Sequence, residues 1–550
     1  MTRPLIRCAL ALLLGLTVIS YGQVFQSGFV DFDDPTFLLH NKHILSGFSL
    51  DNIVWAFTQF HGGTWQPLVW LSYMLDAELY GLKPAGFHLT NLLLHIGCVI
   101  TLFLFLLHAT GSYVRSFIIA AVFAVHPLNV ETVAWVSERK GGLSALFALL
   151  SLLFYTQYSH RPSPKRYILT LSCYGLGLMA KPAILPLPFL MLLLDYWPLR
   201  RFNASPSAES GPMLYEDHLP ERTTSATTVL LLEKIPFLLL LALGGYMGWK
   251  AQLHHGNIVP LDSLSMGMRV SNSIAAYVAY ISKLLVPLDL AAIYPPPLPQ
   301  PYKQVFFKGF CLLAASVAAI RYASRRPYLF VGWCWFLGML VPVIGLFRFN
   351  LQAMADRYMY LPMVGLLLCI AWGVPDLLGK FTFRKQLLSL AALFTIVTLS
   401  LLTLSQVRHW QSSFSLFQRA VEVTKRNPIA HRMLAEQYRL RREYDAAQRH
   451  FHEAIRLQPR YTMAYNGLGF TMLELEKYDA VIDSLTPSFV VDPKNYEGRN
   501  ILGVALFKLG KLEEAQAQFL EALKINPAYQ EAQNNYQMVT SLLRDRSPEK

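Results

Sequence analysis

Along the first 405 or so residues, long apolar blocks are separated by short polar stretches, and beyond them apolar positions recur with a helical rhythm between charged ones. The blocks at 5–21, 89–107, 113–126, 142–158, 167–180, 183–198, 235–251, 305–320, 328–346, 358–375 and 386–404 each predict a membrane helix. Several are shorter than the ~20 residues that cross a bilayer upright, so tilt or loop-lined water has to cover the difference. The stretch 269–286 is apolar enough to cross but carries Asn272, Tyr277, Tyr280 and Lys283. If it does not cross, Arg115, the run Arg161, Lys165 and Arg166, the pairs Arg200–Arg201 and Arg325–Arg326, and Lys380, Arg384 and Lys385 all share the side of Arg3. If it crosses, the last two clusters move outside, against the positive-inside trend. The expectation is therefore eleven spans plus a re-entrant or interface-lying segment, with the C-terminal region outside the cytoplasm. The block at 5–21, behind Arg3 and Arg7, reads as an uncleaved first helix, because no small-x-small cleavage site precedes Gln23. The polar stretch 202–229 becomes a cytoplasmic loop, which puts the Asn203 glycosylation triplet on the wrong side for use.

A period of 34 residues organises the C-terminal region. It aligns Leu434, Leu468 and Leu502, then Ala435, Gly469 and Gly503, then Phe451, Leu485 and Phe519, then Pro459, Pro493 and Pro527. Small residues let paired helices approach, aromatics fill the groove between them, and each proline ends a helix before the next unit. The pattern resembles tetratricopeptide repeats, with full units at 426–459, 460–493 and 494–527. A partial unit around Trp410, Phe417 and Ala420 precedes them, and a capping helix over 528–544 follows. The chain thus divides into a membrane domain, 1–405, and a repeat domain, 406–550. The fold class is all-α: a polytopic transmembrane helical bundle followed by an α-solenoid. Such arrays present a concave face suited to extended peptides, or serve only to assemble membrane subunits.

Composition agrees with this division. Hydrophobic residues make up 53% of the 550 and charged residues 15%, which excludes an ordinary soluble domain. The net charge of +13 sits mostly in short runs beside the apolar blocks, and no basic groove with interleaved aromatics accompanies it, so nucleic acid is not the partner. All six cysteines lie in apolar stretches and read as small core residues.

Polar residues between the apolar blocks carry the candidate chemistry. Asp33 and Asp34 follow the first block, at the depth where a lipid-linked phosphate presents its head group; they read as a general base with a structural partner, or as a helix cap ahead of Pro35. His126, Glu131, Glu138, Arg139 and Lys140 crowd one interfacial segment around Trp135, either as a polar site wall or as an amphipathic interface helix. Lys181, between two apolar blocks, requires an anionic partner, and a lipid phosphate is the natural one. Arg357, in Ala355-Asp356-Arg357-Tyr358, offers a second cation or pairs with Asp356 to lock a helix end. The histidines 61, 88, 95 and 126 lack the close pairing of a zinc site, so no metal or other cofactor is expected.

Taken in order, these stretches resemble the transmembrane and tetratricopeptide repeat-containing proteins, within the wider C-type glycosyltransferase superfold. The resemblance rests on the Asp pair, Trp65-Gln66-Pro67-Leu68, Gly86-Phe87-His88-Leu89-Thr90-Asn91, the His126 to Glu131 loop, Lys181-Pro182, Ala355 to Tyr358 and the repeats. It implies a glycosyltransferase that moves a sugar, mannose among eukaryotic relatives, from a polyprenyl-phosphate donor to Ser or Thr hydroxyls of exported proteins, with inversion. Asp33 or Asp34 would be the base, Lys181, Arg139 and Arg357 would hold the donor phosphate, and His126, Glu131, Trp65, His88 and Asn91 would line the substrate site. The Glu138-Arg139-Lys140 ending is similar to bacterial relatives, which implies an inner-membrane protein with periplasmic repeats; in a eukaryote the setting would be the endoplasmic reticulum membrane, with lumenal repeats. Two other readings stand beside this one: a transferase acting on a glycan or lipid head group, and a non-catalytic membrane scaffold for envelope assembly.

Overall fold

The computed structural model describes residues 3–203, 226–254, 265–295, 301–346, 352–379 and 381–546. Most of the polar loop expected at 202–229, and Lys380 of the last basic cluster, lie outside the described residues. The described chain is helical, with a single isolated bridge between His61 and Thr64. It forms two compact units: Met1–Leu290 with Pro297–Ser412, and Ala291–Pro296 with Ser413–Lys550. The boundary therefore falls beyond 405. Helix Arg384–Arg408 runs past that point, and Trp410, read from sequence as part of a partial repeat, is buried 5.9 Å from the ring of Trp135 in the first unit.

Six helices among the described residues are long and apolar enough to cross a membrane: Arg3–Gln26, Pro84–Thr110, Val136–His160, Thr227–His254, Tyr302–Arg321 and Arg384–Arg408. A seventh arises if Tyr113–Val125 and Pro127–Ala134, bent by 55° at the intervening residue, count as one. The eleven expected spans are thus reduced. The blocks at 167–180, 183–198, 328–346 and 358–375 all form helices, but these run Pro164–Leu178, Pro182–Tyr196, Pro327–Leu340 and Pro362–Leu377. Each begins at a proline, whose missing N–H suits a first turn, and at 1.5 Å per residue each is shorter than the ~30 Å hydrocarbon layer. The ambiguous stretch forms helix Met266–Leu285, which is not among the six. Its polar residues fasten it inward, with Asn272 donating to Ala353 O (3.0 Å), Tyr277 to Leu337 O (2.9 Å) and Tyr280 to Ala355 O (3.2 Å).

The first and last qualifying helices run side by side in the same direction. Ser20 bonds Ser400 (2.7 Å), Arg408 donates to Gln23 (3.3 Å), and Gly28 N–H donates to Gln411 O (3.1 Å), so residue numbers rise together on both.

In the second unit, helices Pro428–Leu440 and Tyr444–Leu457, Thr462–Glu474 and Tyr478–Val491, and Tyr496–Lys508 and Leu512–Ile525 form successive pairs, flanked by Ser413–Val423 and Gln530–Arg546. The small positions explain the close pairing, since a Cβ on Gly503 would sit 2.6 Å from the Phe519 ring. Asn427 and Asn495 start their helices by accepting from Ala430 N–H (3.1 Å) and Gly498 N–H (3.0 Å).

Candidate functional site

The first unit encloses a cavity of about 800 Å³. One part of its wall is polar, formed by Asp33, Thr64, Gln66, Glu138, Lys140, Lys181, Gln252, Gln352, Arg357 and Tyr358. The rest is apolar, from the segment around Leu178 to Leu193, the glycine-bearing face at Gly244, Gly245 and Gly248, and the helix carrying Trp335 and Met339. A glycine face widens the space because no side chain fills it; a Cβ on Gly245 would have nothing within 4 Å.

The two aspartates part company. Asp33 lines the cavity with its side chain 37% exposed, and its carboxylate lies 3.7 Å from Lys140 Nζ. Asp34 is buried and accepts from Val30 N–H (2.9 Å), Ser137 N–H (3.0 Å) and, in a short bond, the Ser137 hydroxyl. Burial pushes its carboxyl up to about 6, against those hydrogen bonds. It ties the first loop to the turn that carries Glu138.

The cations divide in the same way. Lys181 contacts Glu138 in a short ion pair, so its anionic partner within the protein is a carboxylate. Arg357 grips Glu131 through both its guanidinium and its backbone N–H (2.8 Å), and its Nε stands 3.7 Å from Glu138. Glu131 is thus the residue that holds Arg357 in place. Arg139 is fully buried and turned away: it pairs with Asp76 (2.6 Å) and donates to Asn91 Oδ1 (2.8 Å), Phe87 O (2.9 Å) and Ser72 O (3.2 Å). Its neighbour Lys140 lies in the cavity instead, over the rings of Phe37 (4.7 Å) and Trp135 (5.7 Å).

Of the residues expected to line a substrate site, Trp65 does line the cavity, with its indole N–H donated to Phe57 O (2.9 Å). The others are buried polar residues that do not line it, Glu131 reaching it only through Arg357. Asn91 links Arg139 to Trp135 O (3.0 Å), and His88 faces Gly28 O (3.4 Å). His126 caps a turn by accepting from Leu128 N–H (3.2 Å) and contacts Leu284 O (3.0 Å). From sequence, Lys140 stands only as one member of a polar wall and Gln66 only within a motif, neither with a role of its own, and Thr64 and Asp76 are not singled out. For Lys140 the available signal was its place one residue after Arg139 at a helix start, where a single step turns a side chain by about 100°. Among the described residues no cluster of three or more His, Cys, Asp or Glu could hold a metal ion.

Comparison with known proteins adds a second line. The tetratricopeptide repeat family matches residues 496–529. Over 95% of its length the chain is 24% identical to the protein O-mannosyl-transferase TMTC3 of Mus musculus, covering 60% of that protein. It is likewise 24% identical to Tmtc3 of Drosophila melanogaster over 94% of the chain and 64% of the relative, and 24% identical to TMTC1 of Homo sapiens over 84% and 56%. The chain is therefore a distant homologue of these transferases along nearly its whole length, and spans about three-fifths of theirs. Among solved structures, the first TPR domain of Spaghetti (RPAP3) bound to an HSP90 peptide aligns with 21% of this chain and 93% of its own, at 19% identity and a TM-score of 0.21.

Proposed function

We propose that this protein is a membrane glycosyltransferase that moves a sugar, mannose as in the relatives' names, from a polyprenyl-phosphate carrier to Ser or Thr hydroxyls of exported proteins. The observation that carries this reading is one cavity with a reachable carboxylate and three cations on one part of its wall and an apolar remainder. A lipid-linked phosphate has that same division, with charge at its head and hydrocarbon behind.

In the reaction, the acceptor oxygen attacks the anomeric carbon as the bond from that carbon to the phosphate oxygen breaks. The bonding pair leaves with the phosphate, and the hydroxyl proton passes to Asp33. The phosphate is already a good leaving group, so a single base suffices, unlike a glycosidase with its two carboxylates, and a single displacement inverts the sugar carbon. Lys140, Lys181 and Arg357 offset the charge gathering on the departing phosphate. Glu138, which contacts Lys181 and stands 3.7 Å from Arg357, holds these cations in place before the phosphate arrives. Arg139 and Asp34 act at one remove, fixing the helix start and the loop that present Lys140, Glu138 and Asp33. The repeats supply the acceptor-binding surface.

The test is glycoproteomics of exported proteins in a deletion strain complemented with wild type or Asp33→Asn, with lipid binding measured on both purified full-length proteins. Hexose on serines and threonines is expected to return with wild type and to fall by at least about 100-fold with Asp33→Asn, the usual contribution of a general base. Binding of a polyprenyl phosphate should be retained. Undiminished glycosylation by the variant would remove the assignment.

A further inference from the structure

Two side-chain amides on the cavity wall carry hydrogen-bonding atoms that no described residue uses. Gln66 is 2% exposed, and its buried Nε2 has no partner among the described residues. Gln252, on helix Ala226–His254, donates Nε2 to Gly63 O at 2.8 Å, which settles which way its amide faces, because a carbonyl only accepts. That leaves Gln252 Oε1 buried and unpartnered. Both residues line the cavity. Gln66 comes from the turn before helix Pro67–Tyr80, and the Gly63 contact fastens Gln252 to that same turn.

An unused donor and an unused acceptor on one wall select for a particular group. A phosphate oxygen accepts and gives nothing back when ionised, and a hydrocarbon chain does neither. A hydroxyl does both, taking a hydrogen bond from an amide N–H and giving one to an amide C=O. Burying either amide atom unpaired is unfavourable, so a molecule that completes both recovers that cost on binding. Trp65, next to Gln66 and also on the wall, has its N–H committed to Phe57 O and so offers its ring. We infer that Gln66 and Gln252 form a hydroxyl-reading subsite for the transferred sugar. This inference rests on the donor reading above and adds to it the residues that distinguish a sugar-bearing lipid from a bare one.

The experiment uses full-length protein in lipid nanodiscs, with Gln66→Leu and Gln252→Leu as separate variants. Two probes of equal chain length are titrated: a polyprenyl phosphate and the corresponding polyprenyl-phosphomannose. Each variant is expected to bind the mannosylated lipid about tenfold more weakly than wild type, the effect of one lost hydrogen bond, and to bind the bare phosphate within about twofold of it. Unchanged affinity for the mannosylated lipid in both variants overturns the subsite and leaves the donor reading intact. Equal weakening toward both probes also overturns it, since the amides would then be shaping the cavity. Failure of the wild type to bind either probe overturns the donor reading itself, and the subsite with it.

Discussion

Asp33 and Asp34 are adjacent in sequence and opposite in environment, and the difference is measurable as a function of pH. The fold favours the protonated form of Asp34, whose carboxyl is raised from 3.8 to about 6 chiefly by burial. A raised acid contributes stability that is fully present below its unfolded value and lost as pH rises through its folded one. In thermal unfolding from pH 4 to 7.5, the advantage of wild type over Asp34→Asn should shrink between about pH 4 and 6 and level off above. The whole change is on the order of 3 kcal/mol, since each pKa unit corresponds to about 1.4 kcal/mol. A constant difference across the range would show that Asp34 does not titrate there. The need for one outward and one inward carboxylate was legible in the sequence, because neighbouring side chains cannot share one environment. The roles of Arg139 and Lys140 were not, since they depend on Asp76, which approaches Arg139 from a helix over 60 residues away in sequence. His88, Asn91 and His126 illustrate a related limit: a residue type able to bind a ligand is equally able to satisfy buried backbone, and sequence alone does not distinguish the two.

Helix crossings set where the site residues stand. Pro327–Leu340 and Pro362–Leu377 meet at two glycines: a Cβ on Gly365 would lie 2.3 Å from Gly332 O and 2.8 Å from Phe336 N. Backbone has nowhere to yield, so Gly365→Val should destabilise the protein by about 1–3 kcal/mol. Because Arg357 and Tyr358 lie in the turn just before Pro362–Leu377, polyprenyl-phosphate affinity should fall with it. Gly15→Ala, inside helix Arg3–Tyr21 at a position with nothing within 4 Å, is the control: it should leave affinity unchanged and not lower the melting temperature, since Ala favours a helix over Gly by up to about 1 kcal/mol. In the repeat unit, His431 and His450 face each other through Nδ1 atoms 2.9 Å apart, and His450 lies against Tyr438. Burial lowers both, His450 to about 4, so the stability they contribute is present above about pH 6.5 and is lost as pH falls towards 4. Hydrogen-exchange protection in residues 428–457, corrected for the slower chemical exchange at lower pH, should therefore fall between pH 7 and 5, and His450→Phe should flatten that fall. The repeat helices were legible because a period of 34 fixes register through many independent positions. The lengths of the membrane helices were not, because hydropathy marks an apolar block without showing where a proline turn divides it.

Across the whole molecule, the side on which the chain leaves the membrane does not depend on the total number of spans. Helix Arg3–Gln26 and helix Arg384–Arg408 both qualify as spans and both begin with basic residues, Arg3 and Arg7 in one, Arg384 and Lys385 in the other. Their parallel packing, seen in the Ser20–Ser400 and Gly28–Gln411 contacts, requires both basic ends to lie on one side. The positive-inside trend predicts that side to be the cytoplasm. The loop carrying Asp33 and the segment beginning at Gln411 then emerge together on the opposite face, where a polyprenyl-linked sugar and an exported acceptor would meet. A periplasmic-type alkaline phosphatase fused after Lys550 should therefore be active, and a fluorescent protein that matures only in the cytoplasm should stay dark at the same position. The reverse pattern would put the Asp33 loop on the cytoplasmic side as well, away from exported acceptors, so the transfer reaction and the topology stand or fall together in this measurement.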